Sequence, residues 1–211
     1  MAAPRQNRVT PTGDVVAVPL RGAWTGNRGR LHEGEGDSAR VVRFHGSNLW
    51  IICALRFNDR WHEQWRPRRF TWLYFHDEAV ALAAGHRPCA ECRWADYVAY
   101  RQAWMDGLGV DRPSAADMNR RLHGERLVRG THRRRTHALP WPSLPEGAFV
   151  VAESGPALVL ADRLVPWTTA GYGAAQRRPA RGDADVLTPP ASVAVLSAGY
   201  SVQVDDAARI R

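Results

Sequence analysis

Residues 70–92 read FTWLYFHDEAVALAAGHRPCAEC, and this stretch decides how the rest of the chain is interpreted. Its first six residues are mainly aromatic and apolar, which predicts a strand. Residues 77–84 follow with two acids in the first turn and a glycine just past the end, which predicts a short helix. The stretch ends on Cys89 and Cys92, and the pattern of residues 92–108 predicts a longer helix after them. A cysteine turn between two helices is therefore the centre of the predicted fold.

Outside this stretch, short apolar runs bounded by turn residues predict further strands. Upstream, strands are predicted over residues 14–20, 40–44 and 49–57, with a hairpin turn at residues 45–48 and a glycine-rich loop over residues 22–36. Downstream, a third helix is predicted over residues 117–128, an exposed basic connection over 129–145, strands from residue 148 with a turn at 161–162, a loop over 168–185, and a short helix after Pro190.

These elements predict an α+β fold, because strands and helices fall in separate runs. We expect a small antiparallel sheet with helices around a zinc-binding Cys-x-x-Cys turn, plus a β-rich C-terminal part. The expected division is a zinc-containing α+β region with a basic loop over residues 1–145 and a β-rich part over residues 146–211 that packs on the same domain.

The composition excludes several classes of protein. The chain has 211 residues, of which 45% are hydrophobic, so it is not an intrinsically disordered protein. Three cysteines are too few for a disulfide-stapled secreted protein. No apolar run approaches the length of a membrane span, and residues 1–8 lack a hydrophobic leader segment. A cytoplasmic protein with no membrane partner is expected.

The positive charge of the chain is carried by arginine alone, since the sequence contains no lysine, and the net charge is +8. Residues 119–137 hold seven arginines and a single acid, whereas residues 150–211 hold six arginines and six acids. Arginine binds phosphate in a planar, two-pronged way, so this concentration predicts a surface for DNA or RNA. The arginines concerned are Arg120, Arg121, Arg126, Arg129, Arg133, Arg134 and Arg135.

The two cysteines of the turn have the spacing of a zinc half-site. Thiols three positions apart at a turn that opens a helix converge on one point, and the helix N-terminus favours the thiolate form. A redox pair and two unreactive cysteines are the alternatives, although the expected loop-rich surroundings do not suit a thioredoxin-like pair. Cys53 is the candidate third ligand. His45 is the preferred fourth ligand, with His76 and His86 as the other candidates.

The segment YFHDEAVALAAGHRPCAECR, residues 74–93, resembles the metal-binding module of the Ada DNA-repair protein. The resemblance covers about 20 residues closely and residues 41–93 loosely. It implies zinc bound by Cys89 and Cys92, with Cys53 on the expected upstream strand. In the Ada module, an upstream cysteine of a four-cysteine site accepts a methyl group from a DNA phosphotriester. Here the upstream half has a single cysteine, so the resemblance implies zinc more directly than it implies methyl transfer.

Three functions are compatible with these patterns. The first is a zinc protein that binds or acts on nucleic acid, in DNA repair or processing. The second is an enzyme, either a zinc-dependent hydrolase or nuclease using Glu125 and His132, or an alkyl acceptor with Cys53 as nucleophile. The third is a non-enzymatic interaction protein whose basic face contacts an acidic partner.

Overall fold

The structure is a computed structural model that describes residues 3–59 and 63–210. Within these residues the fold consists of short strands and five α-helices. The strands are β1 (Gln6–Val9), β2 (Val15–Ala17), β3 (Trp24–Asn27), β4 (His32–Glu33), β5 (Arg40–Val41), β6 (Ile51–Cys53), β7 (Leu73–Phe75), β8 (Arg87–Pro88), β9 (His137–Pro140), β10 (Phe149–Ala152), β11 (Gly155–Leu160), β12 (Arg163–Thr168), β13 (Gly171–Tyr172), β14 (Gln176–Arg177) and β15 (Asp183–Val186). The helices are α1 (Glu78–Ala83), α2 (Trp94–Leu108), α3 (Ala115–Arg126), α4 (Pro190–Ser197) and α5 (Ala207–Ile210). The expected α+β class is confirmed.

The first sheet is mixed and has the strand order β2-β1-β7-β3-β6-β8. Strands β1 and β7 are parallel, as are β6 and β8, whereas the other neighbours are antiparallel. The expectation of a small antiparallel sheet around the cysteine turn is therefore wrong, because this sheet contains two parallel pairs. The parallel pair β6–β8 is the one that matters for the cysteines.

Strand β3 lies inside the segment 22–36, for which a glycine-rich loop was the prediction, so that prediction is wrong. The reason is a close approach of two strands at Gly26. A Cβ atom at this position would lie 2.1 Å from the carbonyl oxygen of Ile51 on the neighbouring strand. The glycine is thus a packing requirement of a central strand, because no larger residue fits there.

The predicted hairpin at residues 45–48 does not form. Strand β5 pairs with β4, and β6 pairs with β3 and β8. The backbone between β5 and β6 is hydrogen-bonded instead to the segment that links β3 to β4. The N–H of Gly46 donates to Arg28 O at 2.7 Å, and the N–H of Val42 donates to Leu31 O at 2.8 Å. These long-range bonds replace the local pairing of a hairpin.

The three predicted central helices are present. Asp77 caps α1 by accepting a hydrogen bond from the N–H of Val80 at 2.8 Å. Helix α2 ends at Leu108 and is capped by Gly109, whose φ of +62° is the left-handed conformation that glycine adopts readily. Ser114 and Asp117 form a capping box at the start of α3. All six residues of α1 are buried, so this short helix lies in the middle of the molecule.

The second sheet is antiparallel, with the order β13-β12-β11-β10-β15-β9 and with β14 also paired to β12. The predicted turn at residues 161–162 connects β11 and β12. Two predictions are wrong here: β9 lies in the segment 129–145, and β13, β14 and part of β15 lie in the segment 168–185. Pairing organises these sequences, which have no strand pattern of their own: β9 pairs with the distant strand β15, whereas β13 and β14 both pair with the preceding strand β12.

The hydrophobic clusters combine residues from both sides of position 145. One contains Leu82 and Tyr100 together with Val195, and a second packs Ala79 and Val80 against strands of the second sheet, including Phe149. Within the described residues, no helix combines the length and the apolar character that crossing a bilayer requires.

Candidate metal centre and basic pocket

The three cysteines of the chain come together at the ends of the parallel strands β6 and β8. The register pairs Ile51 with Arg87 and Ile52 with Pro88, and the N–H of Cys89 continues the ladder by donating to Ile52 O at 2.9 Å. Cys53 is the last residue of β6, so it lies beside Cys89 just past the end of β8. The turn that precedes α2 then returns Cys92 to the same point. The three Sγ atoms all lie within 4.8 Å of one another.

The donor set fits a metal ion. Thiolates bound to one zinc at about 2.3 Å lie about 3.8 Å apart in a tetrahedral arrangement, which is compatible with this cluster. Backbone N–H groups of Ala54 and Glu91 donate to the Sγ atoms of Cys92 and Cys89, each at 3.4 Å. Such bonds favour the thiolate that a metal requires. The cluster could therefore hold a metal ion.

The three thiols affect one another's pKa values. Hydrogen bonds from the thiols of Cys53 and Cys92 hold the pKa of Cys89 well below its usual value. The reverse holds for Cys53, because its hydrogen bonds to Cys89 and Cys92, together with burial, raise its pKa. In the absence of a metal, the negative charge of the cluster is therefore favoured on Cys89.

Arg87 provides a positive charge beside this cluster. Its side chain is buried, and it donates to Asn119 Oδ1 and to Pro88 O, each at 2.8 Å. Burial lowers the pKa of Arg87, whereas the neighbouring thiols of Cys89 and Cys53 act in the opposite direction. Three thiolates on a divalent metal carry a net negative charge, which this guanidinium would offset.

None of the candidate fourth ligands joins the cluster. The preferred one, His45, lies on the segment before β6, eight positions upstream of Cys53, and its ring contacts His123 at a centroid distance of 5.2 Å. His76 accepts a hydrogen bond from the indole of Trp167. His86 accepts one from Arg28 Nε at 3.1 Å. The metal-ligand group found in the described ranges consists of the three cysteines alone.

His45 instead belongs to a second site, which we call the basic pocket: a space of about 490 Å³ lined by His45, by the end of α3 and by the segment that follows α3. The rings of His45, His123 and His132 form part of its wall, with centroid distances of 5.2 Å and 5.8 Å from His45 to the other two. Burial lowers the pKa of His45, and the neighbouring histidines and arginines lower it further. Arg129 and Arg135 complete the basic lining.

The seven arginines predicted to bind nucleic acid divide into three groups. Arg126 is fully buried and Arg134 is half-buried, with its guanidinium directed to the carbonyls of Ala83 and Leu187, so these two do not form an open surface. Exposed arginines that are paired with carboxylates are Arg120 with Asp117 and Arg121 with Glu125. Exposed arginines without a carboxylate within 4.0 Å among the described residues are Arg129, Arg133 and Arg135.

The other catalytic candidates occupy different environments. One carboxylate oxygen of Glu125 accepts from the N–H of Ala191 at 2.8 Å, at the start of α4, and the other accepts from Arg121 at 2.9 Å. Glu125 thus joins two helices. The exposed ring of His132 packs against Phe44 with a centroid distance of 5.6 Å. Cys53 is the metal-site cysteine described above.

Sequence reasoning missed the buried arginines. Arg28, Arg87 and Arg126 are among the largest fully buried side chains, and Arg28 and Arg126 both lie over the ring of Trp50, at 4.0 Å and 3.7 Å from its centroid. An arginine in a polar, charged segment is normally exposed, so the sequence pattern predicted exposed side chains at these positions. The signal available in the sequence was the pair of glycines on either side of Arg28, Gly26 and Gly29. Each lets the backbone around Arg28 approach another segment closely, which is typical of a buried position.

Comparisons with protein-family models, with curated proteins and with solved structures found no match for this chain.

Proposed function

We propose that the protein binds zinc through Cys53, Cys89 and Cys92 and binds nucleic acid through its exposed arginines. The convergence of the three Sγ atoms carries the metal part of this proposal. Soft thiolate ligands at this spacing select zinc over the hard cations magnesium and calcium. When bound, zinc cross-links the end of β6 to the turn before α2. The resemblance of residues 74–93 to the Ada-type module supports the same metal, and three free thiols suit the reducing cytoplasm.

The metal proposal is tested by measuring zinc per chain in the purified protein after a mild chelator wash. We expect one equivalent in the unmodified protein and none in Cys89→Ser or Cys92→Ser. The matched control is His45→Ala, which keeps its zinc because His45 lies outside the cluster. Replacement of zinc by cobalt gives an independent readout, since thiolate-to-cobalt charge-transfer absorption reports sulfur ligation. A chain that purifies without metal and takes up none would overturn the proposal.

The nucleic-acid part rests on Arg129, Arg133 and Arg135. These exposed guanidiniums lie on one segment of 7 residues and have no carboxylate within 4.0 Å in the described part of the chain. Contacts of this kind hold phosphates without reading base sequence, so the affinity should fall steeply with salt.

Fluorescence anisotropy with a labelled oligonucleotide tests this part. Over about 50 to 200 mM salt, replacing all three arginines by alanine should weaken binding and reduce the slope of log affinity against log salt by about 2 to 3. The charge-matched control replaces Arg177, Arg181 and Arg209, which are exposed on the C-terminal part. Equal losses of affinity in the two triple variants would show a general charge effect. An affinity that does not change with salt concentration would overturn the nucleic-acid proposal.

The enzymatic alternatives stay predictions. Alkyl transfer to Cys53 would add one methyl group to that residue when the protein meets a DNA methyl phosphotriester, which mass spectrometry would detect. Hydrolysis would require turnover of an oligonucleotide that His132→Ala abolishes without unfolding the protein. The hydrogen bond from Ala191 to Glu125 supports a structural role for that carboxylate in preference to an acid–base role.

The non-enzymatic alternative, a basic face that contacts an acidic protein, also stays a prediction. An acidic protein partner would resist displacement by a nucleic-acid homopolymer.

A further inference from the structure

Three guanidinium groups, those of Arg28, Arg126 and Arg134, lie close together, and one of them, Arg126, contacts His123 in the wall of the pocket. Arg28 and Arg126 are fully buried, and a Cβ at Gly85 would touch both Arg126 and Arg134, at 2.6 Å and 3.3 Å. Within residues 3–59 and 63–210, no carboxylate oxygen lies within 4.0 Å of any of the three. Each also keeps one buried nitrogen without a hydrogen-bond partner, namely Arg28 Nη2, Arg126 Nε and Arg134 Nε.

Positive charges buried in this way are costly unless something compensates them. The ring of Trp50 contributes part of the compensation, because Arg28 and Arg126 both lie over it. Backbone carbonyls contribute more, including Gly13 O for Arg28 and Gly85 O for Arg126. These neutral partners leave the net charge in place, and the one carboxylate that acts on Arg28 and Arg134 among the described residues, that of Asp14, lies beyond ion-pair distance. Burial, followed by repulsion from Arg28 and Arg134, lowers the pKa of Arg126.

Arg126 connects this buried charge to the pocket wall. Its Nη2 lies 3.0 Å from Nδ1 of His123, and a guanidinium can only donate, so Nδ1 of His123 accepts. A neutral His123 then carries its proton on Nε2 and is a donor there. His45 and His132 adjoin it along the wall of the same pocket.

The C-terminal carbonyl groups of α3 would repel an anion in the pocket, but two of them already accept hydrogen bonds from Arg135. Arg135 donates through Nη1 to Gly124 O and through its backbone N–H to Arg126 O, each at 3.1 Å. The negative end of the helix dipole is therefore covered by the same arginine that lines the pocket. Imidazole and guanidinium donors face a space of about 490 Å³, within the range of sites for small organic ligands.

We propose that this pocket binds a phosphate monoester, either on a free nucleotide or at the 5′ end of a nucleic-acid strand. A phosphate dianion matches several donors from different directions and offsets more buried charge than a carboxylate does. A second metal ion is less well supported, because the histidine nitrogens do not form a group within 4.8 Å in the described residues. The proposal goes beyond zinc binding and beyond strand binding, since a free phosphate ligand requires neither.

Titration calorimetry of the full chain, as purified, with inorganic phosphate and with AMP tests the proposal. We expect saturable binding of AMP, competition by phosphate, and an affinity about tenfold lower in Arg135→Ala and in His132→Ala. Both side chains are exposed, so these variants should fold. The control is Arg181→Ala, which removes one exposed charge far along the chain and should bind AMP as the unmodified protein does.

The two sources of phosphate are separated by comparing an oligonucleotide that bears a 5′-phosphate with one that bears a 5′-hydroxyl. Tighter binding of the phosphorylated strand, displaced by AMP, supports a strand end as the ligand. Equal binding of the two strands, together with saturable binding of AMP, supports a free nucleotide. Absence of binding by both AMP and phosphate overturns the proposal even if strands bind, and so does an equal loss in Arg181→Ala and Arg135→Ala. Loss of strand binding with AMP binding retained would instead overturn only the nucleic-acid proposal.

Discussion

His86 shows how a single residue can depend wholly on its surroundings. Three residues from Cys89, it was a reasonable candidate ligand from the sequence. In the fold it is fully buried against the rings of Trp50 and Phe75, at centroid distances of 5.0 Å and 4.6 Å, and Arg28 donates to it. Burial, followed by the charges of Arg28 and Arg126, holds its pKa well below the ordinary value. The neutral ring is thus part of the folded state.

Acid should therefore destabilise the protein through His86. Its pKa is lowered in the folded chain, so its contribution is fully present above the unfolded pKa of about 6.5 and is lost as the pH falls below that value. In urea titrations at successive pH values, the free energy of unfolding of the unmodified chain should decline by up to about 1.4 kcal/mol per pH unit from this group. His86→Gln should remove that part of the slope. Identical slopes in the two proteins would contradict this explanation.

At the scale of elements, α2 and α4 pack closely because one residue has no side chain. A Cβ at Gly107 of α2 would lie 2.5 Å from the carbonyl oxygen of Ala194 in α4. The glycine of α3, Gly124, has nothing within 4 Å of the corresponding position. The two glycines look alike in the sequence, since both lie near the end of a helical pattern, but only one is required by packing.

Alanine substitutions at these two glycines should have opposite effects. Gly107→Ala should destabilise the protein by about 1 to 3 kcal/mol, because α2 and α4 must separate to admit the methyl group. Gly124→Ala should stabilise it by about 0.5 to 1 kcal/mol, because alanine loses less conformational freedom than glycine in a helix. Chemical denaturation of each variant measures both values. A change of the same sign in both would show that the helix contact does not decide the outcome.

At the scale of the molecule, the two acids at the start of α1 join the C-terminal part to the metal-site region. Asp77 is fully buried and accepts hydrogen bonds from the Tyr172 hydroxyl at 2.7 Å and from the N–H of Asp205 at 3.0 Å. Glu78 accepts from the Tyr200 hydroxyl and pairs with Arg93, each at 2.8 Å. Residues on both sides of position 145 thus share one buried polar network.

Asp77→Asn should weaken the whole fold together. The amide keeps the size of the side chain but places an N–H group opposite donors, which should cost about 1 to 3 kcal/mol. Tryptophan fluorescence and far-ultraviolet circular dichroism should show a single, shifted unfolding transition. The control Asp206→Asn changes an exposed acid and should leave the transition in place. Two separate transitions in the Asp77 variant would instead indicate that the C-terminal part unfolds by itself.

The sequence alone determined the elements that carry local signals. The strand β7, the capped helices α1 to α3, the β11–β12 turn and the meeting of Cys89 with Cys92 depend on periodicity, caps and short spacing, which neighbouring residues specify. Cys53 was identified only because the pair needs a further ligand.

The tertiary structure alone decided the rest, because those features depend on contacts between distant segments. The parallel pairing of β6 with β8 brings Cys53 to the other thiols, whereas His45 lies in the basic pocket. The close approach at Gly26 turns an expected loop into a central strand. Burial of Arg28 and Arg126 around Trp50 withdraws charge from the surface, and the cost of burying a charge depends on three-dimensional surroundings that no local pattern records.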